Sequence, residues 1–182
     1  MIGVVIPAHD EEAILARCLP SVRELEHDPL LRGEAVRTRV VLDDCSDASE
    51  SIAAAMGIET VRIGARNVGA ARALGAHHLH SEGARWLALT VADTVVSPGW
   101  LSAQLALGAD AVCGTIAVSD WSGHPPEVGA RFLRDYVDAC GHPIAWSSTP
   151  RVVTSARAIG RAPGRFADAI RRHREELGAA LP

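Results

Sequence analysis

Carboxylates arrive in this sequence in tight groups, each just behind an apolar run. The first run, Ile2 to Ile6, passes through Pro7, Ala8 and His9 to Asp10, Glu11 and Glu12. The second leads into Asp43, Asp44, Cys45, Ser46 and Asp47, and a third leads into Asp93. Such carboxylates accept hydrogen bonds from a base N–H or from sugar hydroxyls. They also hold Mg²⁺ or Mn²⁺ that bridges phosphate oxygens. A fourth segment, Asn67-Val68-Gly69-Ala70-Ala71-Arg72, opens a helix whose free N–H groups, with Arg72, suit an anion.

The elements that carry these groups alternate. Short β-branched runs over residues 2–6, 36–42, 60–63, 85–90 and 111–118 read as strands. Helical spacing appears over 11–26, 49–56, 67–79 and 98–107, with Pro20 predicting a kink or a break in the first of these. Strand and helix in turn predict an α/β fold: a mainly parallel sheet flanked by helices. In such sheets ligands bind at the carboxyl ends of the strands, where the acidic groups stand. Beyond Asp120 the pattern weakens to a helix over 131–137, a strand over 151–154 and an amphipathic helix over 166–177.

Composition narrows the chemistry. The chain has 182 residues and a formal net charge of −4, which suits one domain and argues against a nucleic-acid partner. All 18 basic residues are arginine. Without lysine there is no Walker P-loop and no Schiff-base chemistry; a GC-rich genome is the simplest source of the bias. Cys18, Cys45, Cys113 and Cys140 form no CxxC pair, so free thiols in a cytoplasmic protein are expected rather than a zinc site. No stretch approaches the ~20 apolar residues of a membrane span. The arginine-rich stretch from Arg151 to Arg174 reads as a solvated face, with a peripheral contact at an anionic inner membrane face as the rival.

Four motifs in order carry a resemblance. "VVIPAHDEE" resembles VIPAxNEE, "VVLDDCSD" resembles VVDDGSTD, "NVGAARALG" resembles NxGxARNxG, and "LTVADTVVSPGWL" resembles DADTxxPPxWL. Together they cover residues 2–118 and make the chain similar to a family 2 glycosyltransferase of the GT-A, Rossmann-like fold. The resemblance implies a single domain over 1–182. Residues 1–118 would form the nucleotide-sugar-binding half, and 119–182 a shortened acceptor half with a C-terminal helix. It implies a nucleotide-diphosphate sugar donor, a hydroxyl acceptor and a divalent Mg or Mn. Pro7, Ala8, His9 and Glu11 would line the nucleotide pocket. Asp43 or Asp44 would bond the base, Arg72 would stand near the diphosphate or the base, and Asn67 would belong to the nucleotide-sugar site. Asp93 would ligate the metal, and Arg157, in "VVTSARAIGRAPGRF", would neutralise phosphate.

Two departures define the rival reading. Val91 stands where the family's metal motif has its first aspartate. No Glu-Asp dipeptide occurs anywhere, so the acidic pair that supplies the acceptor-side base is missing and no catalytic residue is assigned. Asp120, Glu127, Asp135 and Asp138 are the acids left in that region. The alternative is therefore a degenerate glycosyltransferase that binds nucleotide or a partner without turnover. A homodimer would cover apolar surface exposed by the shortened half. Ordinary structural roles also stay open. Asp43, Asp44, Asn67 and Asp93 can cap helices, His77, His78 and His80 can form a surface patch, and the tryptophans can be core, with Trp121 placed to stack on an acceptor.

Overall fold

A computed structural model describes residues 1–118 and 145–154. Seven strands and four helices follow in the order β1 (Ile2–Ala8), α1 (Glu12–Arg23), β2 (Val36–Asp43), α2 (Ser49–Ala55), β3 (Glu59–Ile63), α3 (Val68–Ser81), β4 (Trp86–Leu89), β5 (Thr94–Val96), α4 (Trp100–Leu105), β6 (Val112–Val118) and β7 (Ala145–Thr154). The expected helices at 131–137 and 166–177 lie outside the described residues. Among the described residues no helix is long and apolar enough to cross a membrane.

The first four strands form one parallel sheet in the order β3-β2-β1-β4. All seven residues of β1 are buried, which is why its sequence is a continuous apolar run and not an alternating one. Because the strands are parallel, their carboxyl ends share one rim. Val4, Ile6, Val40, Leu42 and Ala88 face α1, α2 and α4 through Leu15, Leu19, Val22, Ala53 and Leu101. Val5 and Val41 face α3 on the other side, through Ala71 and Leu79.

The depth at which α3 lies is set by Gly75. A Cβ there would stand 2.6 Å from Val5 Cγ1 and 2.8 Å from Val41 Cγ2. At the far end from the rim, buried Arg39 of β2 pairs with Glu59 of β3 and with Glu82, just past α3. The helix is thus pinned along its length, and its first turn is delivered to the rim.

Three features differ from the sequence expectations. Pro20 does not divide α1, which runs unbroken to Arg23 and then tightens into a 3-10 turn at Glu24–His27. Near its end Ser21 Oγ donates to the Cys18 carbonyl at 2.7 Å. β5 was not foreseen, because three residues are too few to show a period. β6 joins not the main sheet but a second one, ordered β5-β7-β6, in which β7 runs parallel to β6 and antiparallel to β5. Cys18 and Cys45 form no disulfide, in line with the expected thiols. Cys140 lies outside the described residues.

Replacing Gly75 with valine forces the β1 and β2 methyl groups aside. Urea unfolding is expected to show a loss of about 1–3 kcal/mol. Gly64→Ala, where nothing lies within 4 Å of the added carbon, should leave stability unchanged. Equal stability of the two variants would contradict the packing described.

Candidate functional site

The rim is built from four loops, and one buried carboxylate organises two of them. Asp43 closes β2 with 4% of its surface exposed. Its Oδ1 accepts from the backbone N–H of Ala65 at 2.8 Å and of Arg66 at 2.7 Å, and its Oδ2 accepts from Asn67 at 2.6 Å. A carboxylate buried so deeply needs such donors. Asn67 then caps α3, its Oδ1 accepting from Gly69 and Ala70 at 2.9 and 3.1 Å. Arg72 follows on the first turns of α3.

The β1–α1 and β2–α2 loops are stitched together. His9 Nδ1 donates to the Asp43 carbonyl at 2.6 Å, which fixes the proton on that nitrogen. Asp10 Oδ1 accepts from the amides of Ser46 and Asp47 at 2.7 and 3.3 Å. The Ser46 amide holds the Asp10 carboxyl below its ordinary pKa. The Glu11 amide donates to Ser49 Oγ at 3.1 Å. Asp47 accepts from Glu12 and Ser49, and Glu12 in return accepts from Ala48. The Cys45 thiol donates to the Ala8 carbonyl at 3.3 Å and takes the Asp10 amide at 3.4 Å. Burial pushes that thiol's pKa up. Ligand atoms of Asp10, Cys45 and Asp47 lie within 4.8 Å of one another. Asp10 Oδ1 and both Asp47 oxygens already receive amide protons, so this cluster reads as loop stitching.

Asp93 ends the turn after β4. Thr90 N–H extends the ladder to the Val5 carbonyl at 3.1 Å. The Val91 carbonyl accepts from the Thr94 amide at 3.1 Å and from the Cys18 thiol at 3.7 Å, so α1 braces the turn. Thr94 Oγ1 donates to Asp93 Oδ1 at 3.4 Å. The Cys18 thiol is pushed up to about 12 by its burial and then by the Asp93 charge.

The sequence-predicted residues thus fall into three groups. His9, Asp43, Asp44 and Asn67 are brought together on the β1–β2–β3 side of the rim, with Glu11 tied in through Ser49. Arg72 lies on α3, five residues past the Asn67 cap, and Asp93 lies in the turn after β4. Pro7 and Ala8 are buried at the end of β1. Arg157 lies outside the described residues.

Arg66, not singled out from the sequence, completes the rim beside Asp44. Asp44 and Arg66 both hold left-handed backbone, at φ 54° and 45°, and Asp10 does so at 49°. Asp44 and Arg66 are joined, Arg66 Nε donating to Asp44 Oδ2 at 2.5 Å. The pair is exposed, with 46% of the Asp44 side chain and 74% of the Arg66 side chain accessible. The aspartate raises the guanidinium's pKa further. An exposed ion pair adds little stability, and left-handed backbone is unfavourable for an arginine. Stability therefore does not account for the arrangement. Asp44 was marked by its motif, whereas Arg66 carried no sequence signal.

The family model described as glycosyl transferase family 2 matches residues 3–157. The chain belongs to that family. Its fold is similar to that of S. aureus TarS in complex with UDP-GlcNAc, with a TM-score of 0.56 and 14% identity over 70% of this chain. TarS in complex with UDP gives 0.55 and 15%, again over 70%. A glucosyl-3-phosphoglycerate synthase from Mycobacterium tuberculosis, in complex with Mn²⁺, UDP and phosphoglyceric acid, gives 0.49 and 18%, covering 76% of this chain and 49% of that one. The chain spans 37% and 39% of the two TarS chains. No curated protein matches it in sequence.

Removing the Asp43 carboxylate should release residues 65–67. Asp43→Ala is expected to lose about 1–3 kcal/mol and to abolish hydrogen-exchange protection of the Arg66 and Asn67 amides. Unchanged protection would show that the carboxylate does not hold the loop.

Proposed function

We propose that this family 2 chain transfers a glycosyl group from a nucleoside diphosphate sugar to a hydroxyl acceptor. The observation that carries this reading is the rim itself: carboxylates at the ends of β1, β2 and β4, and the first turn of α3, meet one edge of a parallel sheet. The two aspartates that end β2 divide the work. Asp43 is buried and committed to the 65–67 amides, whereas Asp44 is exposed and able to accept from a base N–H. Pro7, Ala8, His9 and Glu11 form the wall beside it. Asn67 and Arg72 stand toward the diphosphate, and Arg157, outside the described residues, would neutralise phosphate, with arginine as the sole side-chain cation that is always charged in this lysine-free chain.

A divalent Mg or Mn would fit at the β4 end, where Asp93 stands. Such ions are held by one or two carboxylates together with substrate phosphates. Asp93 supplies one carboxylate, on a turn braced by Cys18 and Thr94. When bound, the ion would stabilise charge on the departing diphosphate. Val91 offers no second carboxylate, and this favours a second reading in which nucleotide is bound without turnover.

Calorimetry with UDP, GDP and their sugars, with and without Mn²⁺, tests the first step, and product formation tests the second. Asp93→Asn is expected to weaken the Mn²⁺-dependent part of nucleotide affinity roughly tenfold. Val91→Asp is expected to strengthen it. Binding without turnover for every sugar would leave the second reading standing. Absence of any nucleotide binding would overturn both.

A further inference from the structure

Resting on the assignment of Asp44 to the base, we propose that Arg66 is the specificity-determining partner of that aspartate, so that the two side chains together read one edge of the nucleobase. Both residues are held in left-handed backbone, on different loops, and their side chains meet at the rim. The backbone of both loops is fixed underneath: the Asp43 carboxylate holds the Arg66 amide, and the Asp44 amide donates to the Ile63 carbonyl at 2.7 Å. The pairing is therefore imposed from below. With Nε engaged by Asp44 Oδ2, the fork of the guanidinium lies beside an acceptor oxygen, and the other carboxylate oxygen lies beside donors. An acceptor next to a donor is the complement of a base edge carrying an N–H beside a carbonyl, such as the imide edge of uracil or the lactam edge of guanine. A carboxylate alone cannot supply the donor half.

A different role for Arg66, charge neutralisation of the diphosphate, makes a different prediction, and the two separate in one experiment. Binding of UDP, GDP, CDP, ADP and inorganic pyrophosphate, each with Mn²⁺, would be measured by calorimetry for the wild type, Arg66→Ala and Arg66→Lys. The expected result is a loss of roughly tenfold in Arg66→Ala for the preferred nucleotide alone. Preference among the four would then flatten, while pyrophosphate binding stays unchanged. Arg66→Lys, which keeps the charge but not the fork, should recover only part of the preference. Thermal melting of each variant checks that the fold is retained, as the exposure of the Arg66 side chain predicts. An equal loss for all nucleotides and for pyrophosphate would overturn the proposal in favour of a phosphate contact. Preference intact in Arg66→Ala would overturn it outright while leaving the donor-binding reading in place. A wild type that binds none of the nucleotides would overturn both.

Discussion

Asp43 ends β2 inside the protein, and its carboxylate must be satisfied there. Three consecutive backbone amides from the β3–α3 loop do this, two on one oxygen and one on the other. A buried, unpartnered carboxylate would cost several kcal/mol, so the loop and the strand end are each other's condition. Much of the rim follows from that contact. It sets where α3 begins, and hence where Asn67 and Arg72 stand. It holds Arg66 in a conformation its side chain does not favour, and its own carbonyl accepts from His9. Gly75 and the Arg39 ion pairs secure the other end of the same helix.

The rim therefore has two halves of different character. Around β1, β2 and β3 it is a network in which side chains and amides satisfy one another across loops. At β4 the described residues place one carboxylate, Asp93, on a turn braced by the Cys18 thiol. The departure from the family pattern at Val91 falls on that turn.

The parallel sheet was legible because its signals are local. β1 and β2 are continuous apolar runs, and Asn67 announces α3 as a cap does. β5 was not legible, because Thr94–Val96 is too short to show a period and its pairing with β7 spans a long stretch of chain. The same non-local pairing placed β6 in the second sheet. At the site, sequence pointed to Asp43 and Asp44 together but could not divide them. Identical residue types stand side by side, and only burial distinguishes the one committed to amides from the one facing solvent. Arg66 left no trace, since its partner stands on another loop and its left-handed backbone is imposed by Asp43. Cys45 and Asp47 likewise act across loops, which no spacing rule records.

If nucleotide binds where these loops meet, it must protect them together. Hydrogen–deuterium exchange with and without UDP and Mn²⁺ measures that directly on the full chain. Slowed exchange in the segments around residues 8–11, 43–48, 65–72 and 91–94, with the opposite edge of the sheet unchanged, is the predicted footprint. Binding that protects a different surface and leaves these four segments unaltered would contradict it.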